Sequence, residues 1–227
     1  MTRLSVIVPM RNEERTILAA LRAVRAGAPQ AEIIVVDGGS HDCSRELART
    51  HCDRLLESPP GRARQMNAGA ALASGDVFGF VHADTIVPRT YGSDIEAALT
   101  DPLVSGGRFD VELDNPALHM RLLGYLISQR SRLTRIGTGD QAIFARRSVF
   151  ESLGGFPEIE LCEDLEFSRQ LRRAGQVACI RSRVLTSARR WNRDGVAATV
   201  LRMWAIKFLF FAGVNPALLK SLYADRR

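Results

Sequence analysis

Two short runs, L-S-V-I-V at residues 4–8 and E-I-I-V-V at residues 32–36, are apolar on successive positions. Neighbouring strand residues point to opposite faces, so such strands have no face left for water and must be covered on both sides. Between them Leu18, Leu21 and Val24 recur at helical spacing, and Gly27 followed by Pro29 ends a helix predicted over 13–27. Asn12 is placed to cap that helix, with Glu13 and Glu14 in its first turn. Strand, helix and strand within about thirty residues predict a parallel βαβ unit, which commits the chain to an α/β fold.

A third apolar run, 77–81, lies within G-D-V-F-G-F-V-H-A-D-T at residues 75–85. At its exit His82 and Asp84 share a face. A carboxylate and an imidazole there can hold one divalent cation, and in open α/β sheets ligands bind beyond the carboxyl ends of the strands. A solvated turn is the plainer alternative. The run at 32–36 leads into Asp37-Gly38-Gly39-Ser40, where two glycines allow a sharp turn and close approach to a ligand. Asp37 can accept hydrogen bonds from a base imide or a ribose hydroxyl. Ser40 or Asp42 can cap a helix over 42–50, so an ordinary capped turn also fits.

The remaining pattern predicts a strand at 54–57 and an Ala-rich helix at 64–73. Arg62 and Arg64 at the start of that helix suit a bound anion. Further on, it predicts helices at 88–99, 115–133 and 162–174, with a helical turn at 147–153. A strand at 106–113 has Arg108, Asp110 and Glu112 on a wet face, and a turn at 138–141 runs into another strand. A strand at 176–180 precedes helices at 195–211 and 216–223. Glu163 and Asp164 sit in the first turn of their helix, where the helix dipole alone favours carboxylates.

The formal net charge of the 227 residues is +6, and almost all cations are Arg. That balance fits a phosphorylated ligand or an anionic membrane, or reflects a compositional bias toward Arg. The basic residues are scattered and no zinc-finger, RNP or basic-zipper pattern is present, so nucleic acid is not expected as a partner. The four cysteines form no C-x-x-C pair, and the N-terminus runs into a strand pattern without a leader-like core; both predict a reducing, cytoplasmic setting. Near the C-terminus, M-W-A-I-K-F-L-F-F-A-G-V is strongly apolar but short of the roughly 18 to 20 residues that span a bilayer. It fits a helix lying in the inner membrane surface, flanked by Arg202 and Lys220, and equally one packed on the core or on a second copy in a homodimer.

The order V-P-M-R-N-E-E, V-V-D-G-G-S-H-D, G-R-A-R-Q-M-N-A-G, V-H-A-D-T, G-D-Q-A-I-F, G-G-F, C-E-D-L-E-F resembles glycosyltransferase family 2 over about residues 3–195. The resemblance is closest to a short bacterial subgroup, often labelled arsenosugar-biosynthesis-like, in which H-A-D replaces D-x-D. It implies a GT-A fold: a Rossmann-like, mixed, mainly parallel sheet flanked by helices in a single domain over 1–195, with a helical extension over 196–227. It implies a metal-dependent, inverting transfer of one sugar from a nucleoside-diphosphate sugar, a UDP-sugar foremost, to a hydroxyl acceptor that is a small molecule or lipid-linked. Pro9, Asn12 and Glu13 match its first nucleotide loop; Asp37 and Gly39 match the base-contacting turn, with Gly38 where a second acid is usual. Arg62, Arg64 and Asn67 match the helix over the nucleotide. Asp84 matches the metal-binding acid of D-x-D and His82 replaces the first acid, which favours Mn²⁺ over Mg²⁺. Asp164, beside Glu163, matches the catalytic base; Gly139, Asp140, Gln141 and Trp191 fall on the acceptor side. Arg190 matches a diphosphate contact, and Ser187 stands where processive synthases have Gln, which favours single transfer. A catalytically silent nucleotide-sugar-binding protein and a nucleotidyltransferase are the alternative readings.

Overall fold

The computed structural model describes residues 3–222. The chain opens with β1 (Leu4–Met10), α1 (Ile17–Gly27), β2 (Glu32–Asp37), α2 (Ser44–Arg49), β3 (Arg54–Glu57), α3 (Arg62–Leu72) and β4 (Val77–Phe80). β2, β3 and β4 join β1 in parallel, in the spatial order β3-β2-β1-β4. The chain leaves β1 toward β2 and later returns to its other side through α3 and β4. The crevice between the carboxyl ends of β1 and β4 is therefore a topological switch point, where α/β sheets bind ligands.

The second half adds β5 (Thr85–Ile86), α4 (Tyr91–Ala98), β6 (Val104–Leu113), α5 (Leu118–Thr134), β7 (Phe144–Arg146), α6 (Arg147–Ser152), α7 (Glu163–Ala174) and β8 (Gln176–Thr186). A 3-10 turn, Gly139–Gln141, precedes β7. β7 pairs antiparallel with both β4 and β6, β8 runs parallel to β6, and β5 pairs antiparallel with the far end of β8. The result is one mixed, mainly parallel eight-stranded sheet, β3-β2-β1-β4-β7-β6-β8-β5, flanked by helices. α8 (Arg189–Asp194), α9 (Val196–Phe211) and α10 (Pro216–Leu222) follow; the expected end of the last helix at Tyr223 lies outside the described residues.

The doubly apolar strands divide their side chains between two cores. Val6 and Val8 of β1 pack with Ile17, Leu21 and Val24 of α1, whose buried positions repeat at helical spacing. Ile7 faces the other way, toward Ala63, Met66 and Ala70 of α3 and the rings of Phe78, Phe80, Phe150, Phe156 and Phe167. The Phe156 and Phe167 rings pack tilted by 33°, with centroids 4.2 Å apart. Burying each such ring stabilises the fold by about 1.5–3 kcal/mol. α3 approaches β1 closely because it presents small residues: a Cβ on Gly69 would meet Ile7 Cγ2 at 2.5 Å.

Several expectations need correction. β1 does not stop before Pro9. Its pairing with β4 ends at Ile7, and Pro9 faces that vacated side, so its missing N–H breaks no ladder bond. Asn12 does not cap α1. It sits at φ 53°, and the chain makes a separate turn over 13–16 before the helix starts at Ile17, with no acidic residue in its first turn. Arg108 is not on a wet face: it is 1% exposed, ion-paired to Asp110 and bonded to the Phe109 and Ser128 carbonyls, and Asp110 also accepts from Arg132 at 2.6 Å. β8 continues six residues past Ile180: after a register shift it pairs with β6 again from Asp110 and Arg183 to Leu113 and Thr186, with Arg181 and Arg183 exposed.

Candidate active site

Pairing of Thr85 with Thr186 brings the end of β8 against the segment following β4. A cleft of about 360 Å³ opens where these segments meet the loop after β1, the 3-10 turn and the start of α7. Asn12, Glu13, Arg62, His82, Asp84 and Asp164 line it. Gly139, Asp140, Arg190 and Trp191 form more of its wall, and Pro9 lines a small adjoining recess.

Asp164 is held in place by backbone donors. Its Oδ2 accepts from Gly139 N–H at 2.7 Å and its Oδ1 from Leu165 N–H at 2.7 Å. The donor turn is itself locked. Gln141 is fully buried, accepts from Thr138 N–H at 3.2 Å and donates to Phe109 O and Ser131 Oγ. Gln141 thus fixes the turn from behind and does not line the cleft. The His82 ring lies against Gly139: a Cβ there would meet its Nε2 at 2.6 Å while standing 3.6 Å from Asp164 Oδ2.

Glu163 is 6% exposed and borders a second recess with Arg62, Cys162 and Lys207. Burial and then the Asp164 charge push its carboxyl up to about 7, against the pull of Arg62. Burial, and then these two carboxylates, push the Cys162 thiol up to about 12, so it stays protonated. Burial and then Arg130 bring Lys207 down to about 8, opposed by Asp140 and Asp164. Arg130 Nε and Nη2 and Asp140 Oδ1 are buried without a hydrogen-bond partner among the described residues.

Arg189 is a site residue that the sequence reading missed. Its Nη2 lies 2.9 Å from Glu13 Oε2 and 3.0 Å from Asp84 Oδ2, a positive charge bridging two carboxylates. These pairs and hydrogen bonds raise the Arg189 pKa above its ordinary value despite the opposing effect of burial. Nothing local marks it, since Glu13 is 176 positions away.

Other expected nucleotide residues are engaged elsewhere. Asp37 is 1% exposed and its carboxylate accepts from Ser40 N–H and Oγ, closing the turn in which Gly39 sits at φ 80°. Gly38 has no room for a side chain, because Gln65 lies 2.9 Å from its would-be Cβ and ties Met10 O to Val36 O. Asn67 clamps the Phe156 backbone, donating to its carbonyl at 2.8 Å and accepting from its N–H at 2.9 Å. Arg64 pairs on the surface with Glu158 at 3.2 Å. Trp191 both lines the cleft and packs on Met120 and Leu123 of α5. Among the described residues no cluster of three or more His, Cys, Asp or Glu is arranged to hold a metal ion.

Residues 5–154 match the family model described as Glycosyl transferase family 2. The O-antigen chain rhamnosyltransferase WbaN of Salmonella anatum is 27% identical over 166 residues, 64% of this chain and 52% of that protein. Probable glycosyltransferase YdaM of Bacillus subtilis is 27% identical over 198 residues, 76% of this chain and 47% of that protein. The chain spans about half the length of these curated relatives. Among solved structures, the mannosyltransferase PcManGT of Pyrobaculum calidifontis, in complex with GDP-Man and Mn²⁺, superposes with a TM-score of 0.68 at 22% identity, over 92% of this chain and 62% of that one. S. aureus TarS 1–349 in complex with UDP-GlcNAc gives 0.64 at 18%, over 82% and 58%. The fold is that of the GT-A glycosyltransferases.

Proposed function

Because the chain belongs to glycosyl transferase family 2, we propose that it moves one sugar from a nucleoside-diphosphate sugar to a hydroxyl acceptor, with inversion at the anomeric carbon. The observation that carries this reading is Asp164, a carboxylate held by two backbone N–H groups in the same cleft as His82 and Asp84. An acceptor hydroxyl loses its proton as it attacks, and a fixed carboxylate at the cleft wall is suited to take it. Glu163, raised by burial, sits beside it and limits the negative charge gathered at the start of α7.

Asp84, with His82, is the site for a divalent cation. The fit rests on Arg189: a cationic group already lies against Asp84 and Glu13, so the locus favours positive charge. Asp84 and His82 would hold such a cation, and the imidazole would favour Mn²⁺ over Mg²⁺. When bound, such a cation supplies Lewis-acid stabilisation of the departing diphosphate. Arg62 and Arg190 flank the same cleft and are suited to the diphosphate. The UDP complexes of TarS favour a UDP-sugar here, and the GDP-Man complex of PcManGT makes GDP the competitor to test. The H-A-D triplet supports membership of the short bacterial subgroup that carries it.

The test is donor turnover and binding in Asp164→Asn. Calorimetry with Mn²⁺ first identifies UDP or GDP as the ligand. Asn keeps an acceptor for Gly139 N–H, so nucleotide affinity stays within about twofold while transfer falls by roughly 10²–10⁴. Full activity in this variant refutes the base assignment.

A further inference from the structure

The structure leaves two helices with apolar outer sides. On α5, Leu118, Leu122 and Leu126 are more than half exposed; on α9, Leu201, Trp204 and Phe208 are at least 70% exposed. Both sets repeat at helical spacing. The inner sides of the two helices are already packed, since Met120 and Leu123 of α5 share one cluster with Val200 and Met203 of α9. The outer rows are therefore not needed by the core. Among the described residues no helix is long and apolar enough to cross a membrane, so this surface lies on a partner and does not span one.

The charge pattern says which partner. Neither α5 nor α9 contains a carboxylate; of their cations, Arg132 is paired with Asp110, Arg130 and Lys207 are half-buried toward the cleft, and Arg121 and Arg202 are exposed. The acids just before each helix are engaged: Asp114 accepts from Ala188 N–H, and Asp194 pairs with Arg193 and Arg202. Arg121 and Arg202 lie at the exposed side, next to the apolar rows. A second copy docked here would offer Arg121 no carboxylate from either helix. A bilayer with anionic headgroups accepts the leucines and aromatics at the acyl boundary and the guanidinium groups at the phosphates.

We propose that α5 and α9 form a docking face for an anionic lipid bilayer. Met203 of α9 lines the cleft and Lys207 lines the recess beside Asp164, so docking holds the cleft at the membrane surface. The face stands independently of the glycosyl-transfer reading, because its test contains no donor and measures no turnover.

The experiment is flotation of the full chain with phosphatidylcholine vesicles containing phosphatidylglycerol, and with pure phosphatidylcholine vesicles. Co-flotation with the anionic vesicles, weakened by salt, is expected. The double variant Leu201→Glu, Phe208→Glu loses about tenfold or more of the affinity while keeping its thermal melt. The unaltered chain gives a second readout that needs no variant: exposed Trp204 shifts to the blue on binding and is quenched by brominated acyl chains. Absence of co-flotation with anionic vesicles overturns the proposal. So does an unquenched Trp204 in vesicle-bound protein, or a dimer in light scattering that the double variant dissolves.

Discussion

Replacing Gly139 by alanine isolates the position of His82 from almost everything else in the cleft. The new Cβ meets the His82 ring at 2.6 Å, whereas ordinary contact begins near 3.4 Å, so the ring must retreat about 0.8 Å. The same Cβ lies 3.6 Å from Asp164 Oδ2, which is ordinary contact, so the bond from the residue-139 N–H to Asp164 survives. The ring is the end of a side chain with two rotatable torsions, and swinging it leaves the core undisturbed. Loss of a glycine also narrows the unfolded ensemble, so net stability changes by no more than about 1 kcal/mol. On the proposed function His82 positions the donor, and a displacement near 1 Å in such a group is expected to cost on the order of 10²-fold in rate. The assay is release of nucleoside diphosphate from the donor chosen by calorimetry, alongside a thermal melt. A control is the cycle with His82→Ala: once the ring is gone, Gly139→Ala should have no further effect. Activity within about threefold of the parent, with an unchanged melt, refutes the argument that the ring's position matters. A collapsed melt refutes the argument that the ring can swing.

Asn67→Ala removes both bonds to the Phe156 backbone and should lower stability by roughly 2 kcal/mol in urea titration. Nucleotide affinity should be unchanged; lost affinity with intact stability would restore the residue to the nucleotide side. Glu163→Gln removes a carboxyl whose folded pKa is raised, so the parent's contribution from this group is complete at low pH and lost as pH rises through about 7. Urea midpoints should therefore fall from pH 4.5 to 7 in the parent relative to the variant, and the opposite sign would refute the burial argument. Arg189→Ala frees Glu13 and Asp84, and calorimetry should show Mn²⁺ bound about tenfold more tightly in the absence of nucleotide. Weaker binding would show that Arg189 assists the cation instead of competing with it.

β1, β2 and β4 were legible because each is a short run of successive apolar, largely β-branched or aromatic residues bounded by turn formers. Asp164 and Asp84, which both line the cleft, stand out in the sequence because each lies at the end of an element whose pattern is strong. β8 was cut short at Ile180, since Arg181 and Arg183 break the apolar pattern where the strand faces water. Arg108 was assigned to water by the same rule, yet Asp110 and two carbonyls hold its terminal nitrogens inside. Local propensity carries no information about such a partner set. Asn67 and Gln141 lie in motifs that point to ligands, but their amides serve loops instead. Arg189 was overlooked in favour of its neighbour because its partners, Glu13 and Asp84, are fixed only by the assembled sheet.

The pairing of β8 with β6 and β5 has a consequence for the order in which the molecule comes into being. Residues up to 154 hold the strands from β1 to β7 and the Asp84 carboxylate. They lack Asp164 and the Arg189 that reaches back 176 positions to Glu13. Contacts of such span close late, because the intervening loop must first lose its freedom. A chain emerging from the ribosome can therefore fold its parallel half early while the cleft still has one wall. The cleft is complete only when the last strand has taken its place, so the transfer proposed for it awaits the finished chain.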